Sequence, residues 1–170
     1  MKKIFLMLIA VLAIISCGKD KKEVTNTQIE KEYIKTTLIL DAIYLKDDSI
    51  AVYYKENNYF NYDKPVSVKI KGADFSQRIK IEMPQDVLVE NFSIVASTNE
   101  DQKTLVVSGI SVEQNDKLIF DGKIYQYLDY FLMDESFKWD VKRQVNDLIH
   151  SNKYPPGIVG SEKIEHLLIR

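Results

Sequence analysis

Few side chains in this 170-residue chain are of a type that could carry covalent or metal chemistry. Cys17 is the single cysteine, and it ends an apolar run that begins after Lys2 and Lys3. A lone cysteine cannot form an internal disulfide, so its thiol calls for another explanation. The two histidines, His150 and His166, have no partner at the spacing of a zinc motif. We therefore expect no metal centre and no cofactor.

Acidic pairs are the other candidates for chemistry. Asp47-Asp48 and Glu100-Asp101 both lie between predicted strands, where acidic residues are common in turns. Two carboxylates that perform acid–base catalysis are held about 5–10 Å apart across a cleft, which sequence neighbours rarely achieve. The asparagine-rich residues 57–63 lack the spacing of an EF-hand calcium loop. We therefore expect a non-catalytic protein, and a small hydrolase is the least favoured alternative.

Residues 53–63 form the most distinctive stretch, with four tyrosines, one phenylalanine and three asparagines. Aromatic rings can stack on the C–H faces of a sugar while amide and carboxylate groups bond to its hydroxyls. The candidate ligand-binding residues are Tyr59, Phe60, Tyr62, Asn57, Asp63 and, from a second aromatic group, Trp139. That second group comprises Tyr125, Tyr127, Tyr130, Phe131, Phe137 and Trp139. Alternatively, Tyr54 and Phe60 belong to the core and the other rings are half-buried cross-strand neighbours.

The N-terminus has the pattern of an export signal. Residues 4–15 form an uncharged apolar run of about 12 residues, within the range of a signal peptide. A membrane-spanning helix needs roughly 20 residues. The run is therefore too short for a stable span, and the polar residues that follow it support this interpretation.

The sequence Ile14-Ile15-Ser16-Cys17 resembles the lipobox of bacterial lipoproteins, although that family more often has leucine where Ile14 stands. In the family, the cysteine thiol receives a diacylglyceryl group, the signal is cut before the cysteine, and the new amino group is usually acylated. The resemblance implies cleavage between Ser16 and Cys17. It also implies that Cys17 anchors the protein in a bacterial membrane, because several acyl chains give stable anchoring. The outer membrane or cell surface is the favoured location.

The charge balance argues against nucleic acid as a partner. The whole chain has a net charge of −2, and removal of Lys2 and Lys3 with the signal leaves −4, whereas nucleic-acid binding calls for a basic face. Residues 17–35 are rich in charge and poor in apolar side chains, which is typical of a flexible tether. In an alternative, the part from Gln28 onward forms a short helix with Ile29 and Tyr33 on one side.

Residues 36–132 are predicted to form one antiparallel β-sandwich, jelly-roll or Ig-like in type. An Asp121-Gly122 pair between apolar runs predicts a hairpin. The apolar runs at residues 36–45 and 105–112 should be central strands, whereas those at 66–71 and 78–83 have one polar face with lysines. Strands are predicted at residues 36–45, 50–54, 66–71, 78–83, 92–96, 104–112, 118–120 and 123–127.

Residues 133–170 are predicted to form a mixed, partly helical extension. Phe137, Val141, Val145 and Leu148 have helical spacing, yet residues 137–141 also alternate like a strand. Residues 154–157 form a rigid break, and residues 161–170 have helical spacing.

The body loosely resembles the β-sandwich domains of bacterial surface lipoproteins, including carbohydrate-binding modules. The favoured function is a membrane-anchored, non-catalytic binding or accessory domain, with glycan as the candidate ligand. The alternative is a structural or assembly lipoprotein that contacts envelope proteins.

Overall fold

The computed structural model describes residues 34–151 and 153–169. Within them, twelve strands form two six-stranded antiparallel sheets that pack around one core, so the predicted β-sandwich is confirmed. The predicted signal peptide, Cys17 and the alternative helix from Gln28 lie outside the described residues. The last tether residues are hydrogen-bonded to the sandwich, through Ile34 O with Asp86 N and Lys35 O with Asn115 N.

The strands are β1 (Thr36–Tyr44), β2 (Asp48–Glu56), β3 (Tyr59–Phe60), β4 (Val66–Ile70), β5 (Gln77–Glu82), β6 (Asn91–Val95), β7 (Thr104–Gln114), β8 (Lys117–Phe120), β9 (Phe131–Met133), β10 (Phe137–Asp140), β11 (Val145–Leu148) and β12 (Gly157–Gly160). A 3-10 helix (Gln126–Asp129) precedes β9, and α1 (Glu162–Leu168) follows β12. The first sheet has the order β10-β11-β7-β1-β5, with β8 also on β7. The second has the order β3-β2-β6-β12-β9, with β4 also on β2.

The alternating runs behave as the sequence predicts. In β5, Ile79 and Ile81 are buried while Arg78, Lys80 and Glu82 lie on the other face. In β4, the valines point inward and Lys69 is exposed. Both strands have a single partner strand in the sheet order, and lysines on such edges discourage pairing with another chain.

The two runs predicted to be central are β1 and β7, which pair with each other. Leu38 and Leu40 of β1 face the core, and Ile39 on the opposite face is also buried. The buried Tyr44 hydroxyl donates to Ala96 O across 2.7 Å, linking the first sheet to the end of β6. These strands are apolar on both faces because both faces are covered.

The prediction of a hairpin turn at Asp121-Gly122 is wrong. The turn instead joins β7 to β8 through Asn115 and Asp116, whose φ values of 49° and 59° suit a two-residue hairpin turn. Gly122 has a different role, because a Cβ there would collide with the Ile110 carbonyl oxygen and lie 2.6 Å from the Phe120 ring. Close packing of two backbones requires the glycine, and residues 123–127 continue into the 3-10 helix rather than a strand.

The helical interpretation of residues 137–148 is also wrong, since they form the hairpin β10–β11. The helical spacing arises from the connecting turn. Asp140 accepts hydrogen bonds from the backbone of Lys142 and Arg143, and Gln144 ends the turn with a φ of 56°. The alternation of Phe137 and Trp139 correctly predicts a strand, because aromatic residues pack well on a sheet surface.

The helix predicted near the C-terminus is confirmed as α1. The side chain of Ser161 caps it by accepting a hydrogen bond from Lys163 N. Ile164 and Leu168, at i and i+4, are both buried in the core. This amphipathic pattern attaches α1 to the sandwich.

A charged contact also fastens α1 to the second sheet. Lys55 Nζ of β2 lies 2.6 Å from Glu165 Oε1, and Asn91 Nδ2 donates to Glu165 Oε2 across 3.0 Å. The hydrogen bond from Lys55, and next that from Asn91, lower the pKa of Glu165 from its ordinary value. Both partners are partly buried, so the contact is screened less than a surface ion pair.

We predict that Glu165→Gln lowers the free energy of unfolding at neutral pH by an amount on the order of 1 kcal/mol. The folded-state pKa is lowered, so the stabilisation is complete above the ordinary glutamate pKa and is lost as the pH falls through the lower folded-state value. Urea unfolding at about pH 7 and about pH 3 should therefore show a difference that shrinks in acid. Glu162→Gln, on the exposed side of the same helix, is the control. An unchanged difference at both pH values would contradict the prediction.

Candidate functional site

A cavity of about 390 Å³ opens where β10 and β11 meet the 3-10 helix and β9. Its volume lies in the range of small-ligand sites, which are mostly apolar with a few polar groups. Aromatic rings, two aliphatic side chains, one carboxylate and one amide share the lining. The lining residues are Tyr125, Tyr127, Leu128, Met133, Asp134, Phe137, Trp139 and Asn146.

The hairpin β10–β11 supplies one wall of this cavity. Trp139 stands directly opposite Asn146 in the strand register, and Phe137 stands opposite the core residue Leu148. Directly paired residues project to the same face of a sheet, so these side chains all project toward the interior side. On the turn, Arg143 bonds to the carboxylates of Asp140 and Asp147, which fixes the hairpin end.

The opposite wall depends on an unusual backbone conformation. Ile124 and Tyr125 have φ values of 52° and 64°, in the left-handed region that disfavours residues with a Cβ. The Tyr125 ring lies 6.2 Å from that of Trp139 with an edge-on interplanar angle of 74°. Both rings remain exposed, at 42% for Tyr125 and 45% for Trp139. The left-handed pair therefore holds two aromatic faces at the cavity.

Tyr127 forms part of the cavity floor. It is buried, and its hydroxyl donates to Val107 O across 3.1 Å. Burial raises the pKa of this hydroxyl well above the ordinary tyrosine value. The hydroxyl is thus neutral and already engaged, so Tyr127 contributes shape and apolar surface rather than a free polar group.

The two polar lining residues differ in their remaining hydrogen-bonding capacity. Asp134 accepts from the backbone of Ser136 and of Gly157, each across 3.0 Å, and lies 3.4 Å from Lys153 Nζ. Asn146 is only 6% exposed. Within the described part of the chain, its side-chain amide makes no hydrogen bond, whereas its backbone pairs with β7 and β10. Its donor and acceptor are available to a ligand.

The aromatic residues of the first candidate stretch lie elsewhere. Tyr59 is 80% exposed on β3, and the Phe60 and Tyr62 rings stack 5.7 Å apart, with Tyr53 5.3 Å from Tyr62. In the sheet order, β3 and β9 lie at opposite edges. Because Met133 of β9 lines the cavity, Trp139 is not brought together with Tyr59, Phe60 and Tyr62.

The asparagines of that stretch have structural roles, whereas Asp63 is exposed. Asn57 and Asn58 have φ values of 51° and 67° and form the turn between β2 and β3. Asn61 Oδ1 accepts from Asp63 N. Their composition follows from the turn, since asparagine tolerates left-handed backbone. Of the alternative assignments, Tyr54 is in the core, but Phe60 lies only partly buried beside Tyr62.

Asp48 of the first acidic pair and His150 bond within the chain. Asp48 accepts from the backbone N–H groups of Ser49, Thr98 and Asn99 and so fixes the loop after β6. His150 Nε2 lies 3.2 Å from Gln102 O. A further cavity of about 540 Å³ lies beside Asp48. The Asp48 carboxylate already accepts several hydrogen bonds within the chain, so Asp48 is less suited to bind a ligand than Asn146 is.

Sequence reasoning identified the aromatic part of the cavity and missed its polar part. Four members of the second aromatic group line it, while Tyr130 and Phe131 pack against Phe120 instead. Asn146 was not singled out, and the only signal was an asparagine at an inward position between Val145 and Leu148. That position becomes visible only when residues 145–148 are assigned as a strand.

Comparison of the chain with protein-family models, curated proteins and solved structures finds no match. Within residues 34–151 and 153–169, no three His, Cys, Asp or Glu side chains are placed to hold a metal ion together. No helix in the described residues has the length and apolar character to cross a membrane. The cavity and its side chains are therefore the basis for assigning a function.

We predict that Ile124→Gly raises the free energy of unfolding by up to about 1 kcal/mol, because glycine adopts the left-handed conformation without a steric penalty. Ile124 is 85% exposed, so little packing is lost. Ile119→Gly, an exposed isoleucine within β8, is the matched control and should destabilise by roughly 1 kcal/mol. Thermal and urea unfolding measure both changes. A loss of stability in Ile124→Gly equal to that of the control would refute the strain argument.

Proposed function

We propose that this protein is a lipid-anchored bacterial envelope protein whose β-sandwich is a non-catalytic binding domain for glycan. The observation that carries the binding proposal is the pair of exposed rings, Tyr125 and Trp139, beside a cavity that contains the unpaired amide of Asn146. Each element is fixed by hydrogen bonds or strand pairing, so the site is largely formed before a ligand arrives.

Carbohydrate suits this arrangement for a physical reason. A sugar ring has apolar C–H faces and a rim of hydroxyl groups, so it can contact aromatic rings and polar groups at the same time. The cavity offers both kinds of surface, through the rings of Trp139 and Tyr125 and the amide of Asn146. The volume of about 390 Å³ is at the lower end for small-ligand sites. We therefore assign the cavity to one or two sugar units.

The exposed face of the second sheet favours an assembly role as the second candidate. Tyr53 pairs with Ser93, Ser93 with Val159, and Val159 with Leu132, which sets a cross-strand row on the outer face. Val159 and Leu132 are exposed and line a cavity of about 300 Å³. Exposed apolar surface of this kind is typical of protein contacts. Loss of a co-purifying envelope protein in Leu132→Asp, with no glycan bound by the wild type, would favour this role.

For the anchor, we predict that Cys17→Ala moves the protein from the membrane fraction to the soluble fraction. The reason is that each buried methylene of an acyl chain contributes about 0.8 kcal/mol to membrane binding, and the variant has no thiol to acylate. Cell fractionation with immunodetection measures the change, and Tyr59→Ala serves as a control that should stay in the membrane. Mass spectrometry should find an acylated Cys17 at the mature N-terminus. Membrane retention of Cys17→Ala would contradict the anchor.

For the ligand site, we predict that Trp139→Ala weakens glycan binding by at least about tenfold in Kd, which corresponds to about 1.4 kcal/mol. Trp139 is half exposed, so the variant should still fold. The double variant Tyr59→Ala, Tyr62→Ala removes two exposed rings at the other edge and is the matched control. A glycan array selects the ligand, and calorimetry measures both variants.

Two outcomes would change the assignment. If the double variant loses binding and Trp139→Ala does not, the glycan site is the surface around Tyr62 instead of the cavity. If the wild type binds nothing on the array, the glycan proposal is wrong.

A further inference from the structure

An amide that lines an open cavity and has no hydrogen-bond partner in the chain keeps both its donor and its acceptor for a ligand. Asn146 is in this position: the residue is 94% buried, its side chain makes no hydrogen bond within the described residues, and its amide atoms remain accessible from the cavity. The neighbouring inward residue of β11 is Leu148, which packs in the core. An apolar residue of similar size at position 146 would offer neither group.

We propose that Asn146 recognises two adjacent hydroxyl groups of a neutral sugar, which makes a vicinal diol the determinant of ligand class. This inference rests on the proposed glycan-binding function. The side-chain amide presents an N–H donor and a carbonyl acceptor side by side. One hydroxyl accepts from Nδ2 while its neighbour donates to Oδ1, so a single asparagine engages two adjacent hydroxyls.

The other lining groups orient the sugar for this contact. Trp139 stands directly opposite Asn146 in the register of β10 and β11, so its ring and the amide border the same space. Tyr125 meets Trp139 edge-on at 6.2 Å. The sugar lies with a C–H face on these rings and its hydroxyl edge toward Asn146. Tyr127 and Asp134 supply fewer new bonds, because their oxygens already bond within the chain.

Recognition through a diol predicts selectivity of a definite form. A site that bonds to specific hydroxyls discriminates strongly against analogues that lack them, because its buried polar groups are then left unpaired. A sugar that lacks either hydroxyl of the pair should bind poorly. A sugar altered at a hydroxyl outside the pair should bind nearly as well as the parent.

The test uses wild type and Asn146→Leu, a variant of similar size that removes donor and acceptor together. Thermal unfolding comes first, and the melting temperature of Asn146→Leu should stay close to that of wild type because the fold loses no hydrogen bond. NMR titration with the methyl glycosides of glucose, galactose and mannose then identifies a bound sugar. The titration is then repeated with the monodeoxy analogues of that sugar, on wild type and on Asn146→Leu.

The expected result is that two deoxy analogues, altered at neighbouring carbons, each bind wild type at least tenfold more weakly. The same two analogues should bind Asn146→Leu no more weakly than the parent sugar does, because the partner of those hydroxyls is already absent.

Three results would overturn the proposal. A clear drop in the melting temperature of Asn146→Leu would show that the amide supports the fold. Binding of the parent glycoside by Asn146→Leu as strongly as by wild type would exclude the diol contact and leave the proposed glycan function in place. Failure of all three glycosides to bind wild type, together with no binding on the glycan array, would remove the proposed function as well.

Discussion

The divided edge of β7 is the constraint on which the cavity depends. One edge of this long strand pairs with β1, while the other is shared among three segments. β11 pairs at Thr104 and Leu105, Lys123 bridges to Gly109, and β8 pairs from Val112 onward. No single strand covers this edge, so the chain between β8 and β9 must turn across it. That turn and the hairpin β10–β11 leave the cavity between them.

Most of the fold could be predicted because alternation in a strand directly reports which face is buried. β4 and β5 alternate cleanly, and their assignments are correct. The errors arose where one local signal had two physical causes. A glycine between apolar runs can mark either a turn or the close packing of two backbones, and Gly122 marks the packing. The helical spacing of residues 137–148 comes from a turn capped by Asp140. Only the register of the folded sheets separates these causes.

The site was predictable in its aromatic part alone, because one residue type serves several purposes in this chain. Tyr44 is a core residue bonded to Ala96, Tyr62 covers the outer face of the second sheet beside Tyr53, and Tyr125 borders the cavity. A tyrosine-rich composition indicates half-buried sheet surface and cannot distinguish these locations. Asn146 was invisible for a related reason, since an unpaired amide is defined by the absence of partners that only the tertiary structure reveals.

A left-handed backbone pair, exposed aromatic rings and an unpaired amide lie together at this cavity. Of the left-handed residues other than glycine in the described chain, all but Ile124 and Tyr125 are Asn, Asp or Gln, most of them types that tolerate the conformation. Exposed aromatic rings and the unpaired amide of Asn146 lie beside this pair. The left-handed pair costs stability, and natural proteins retain such strain mainly at functional sites. A ligand with apolar faces and a polar rim accounts for the rings and the amide, because it supplies the contacts that the chain leaves unmade.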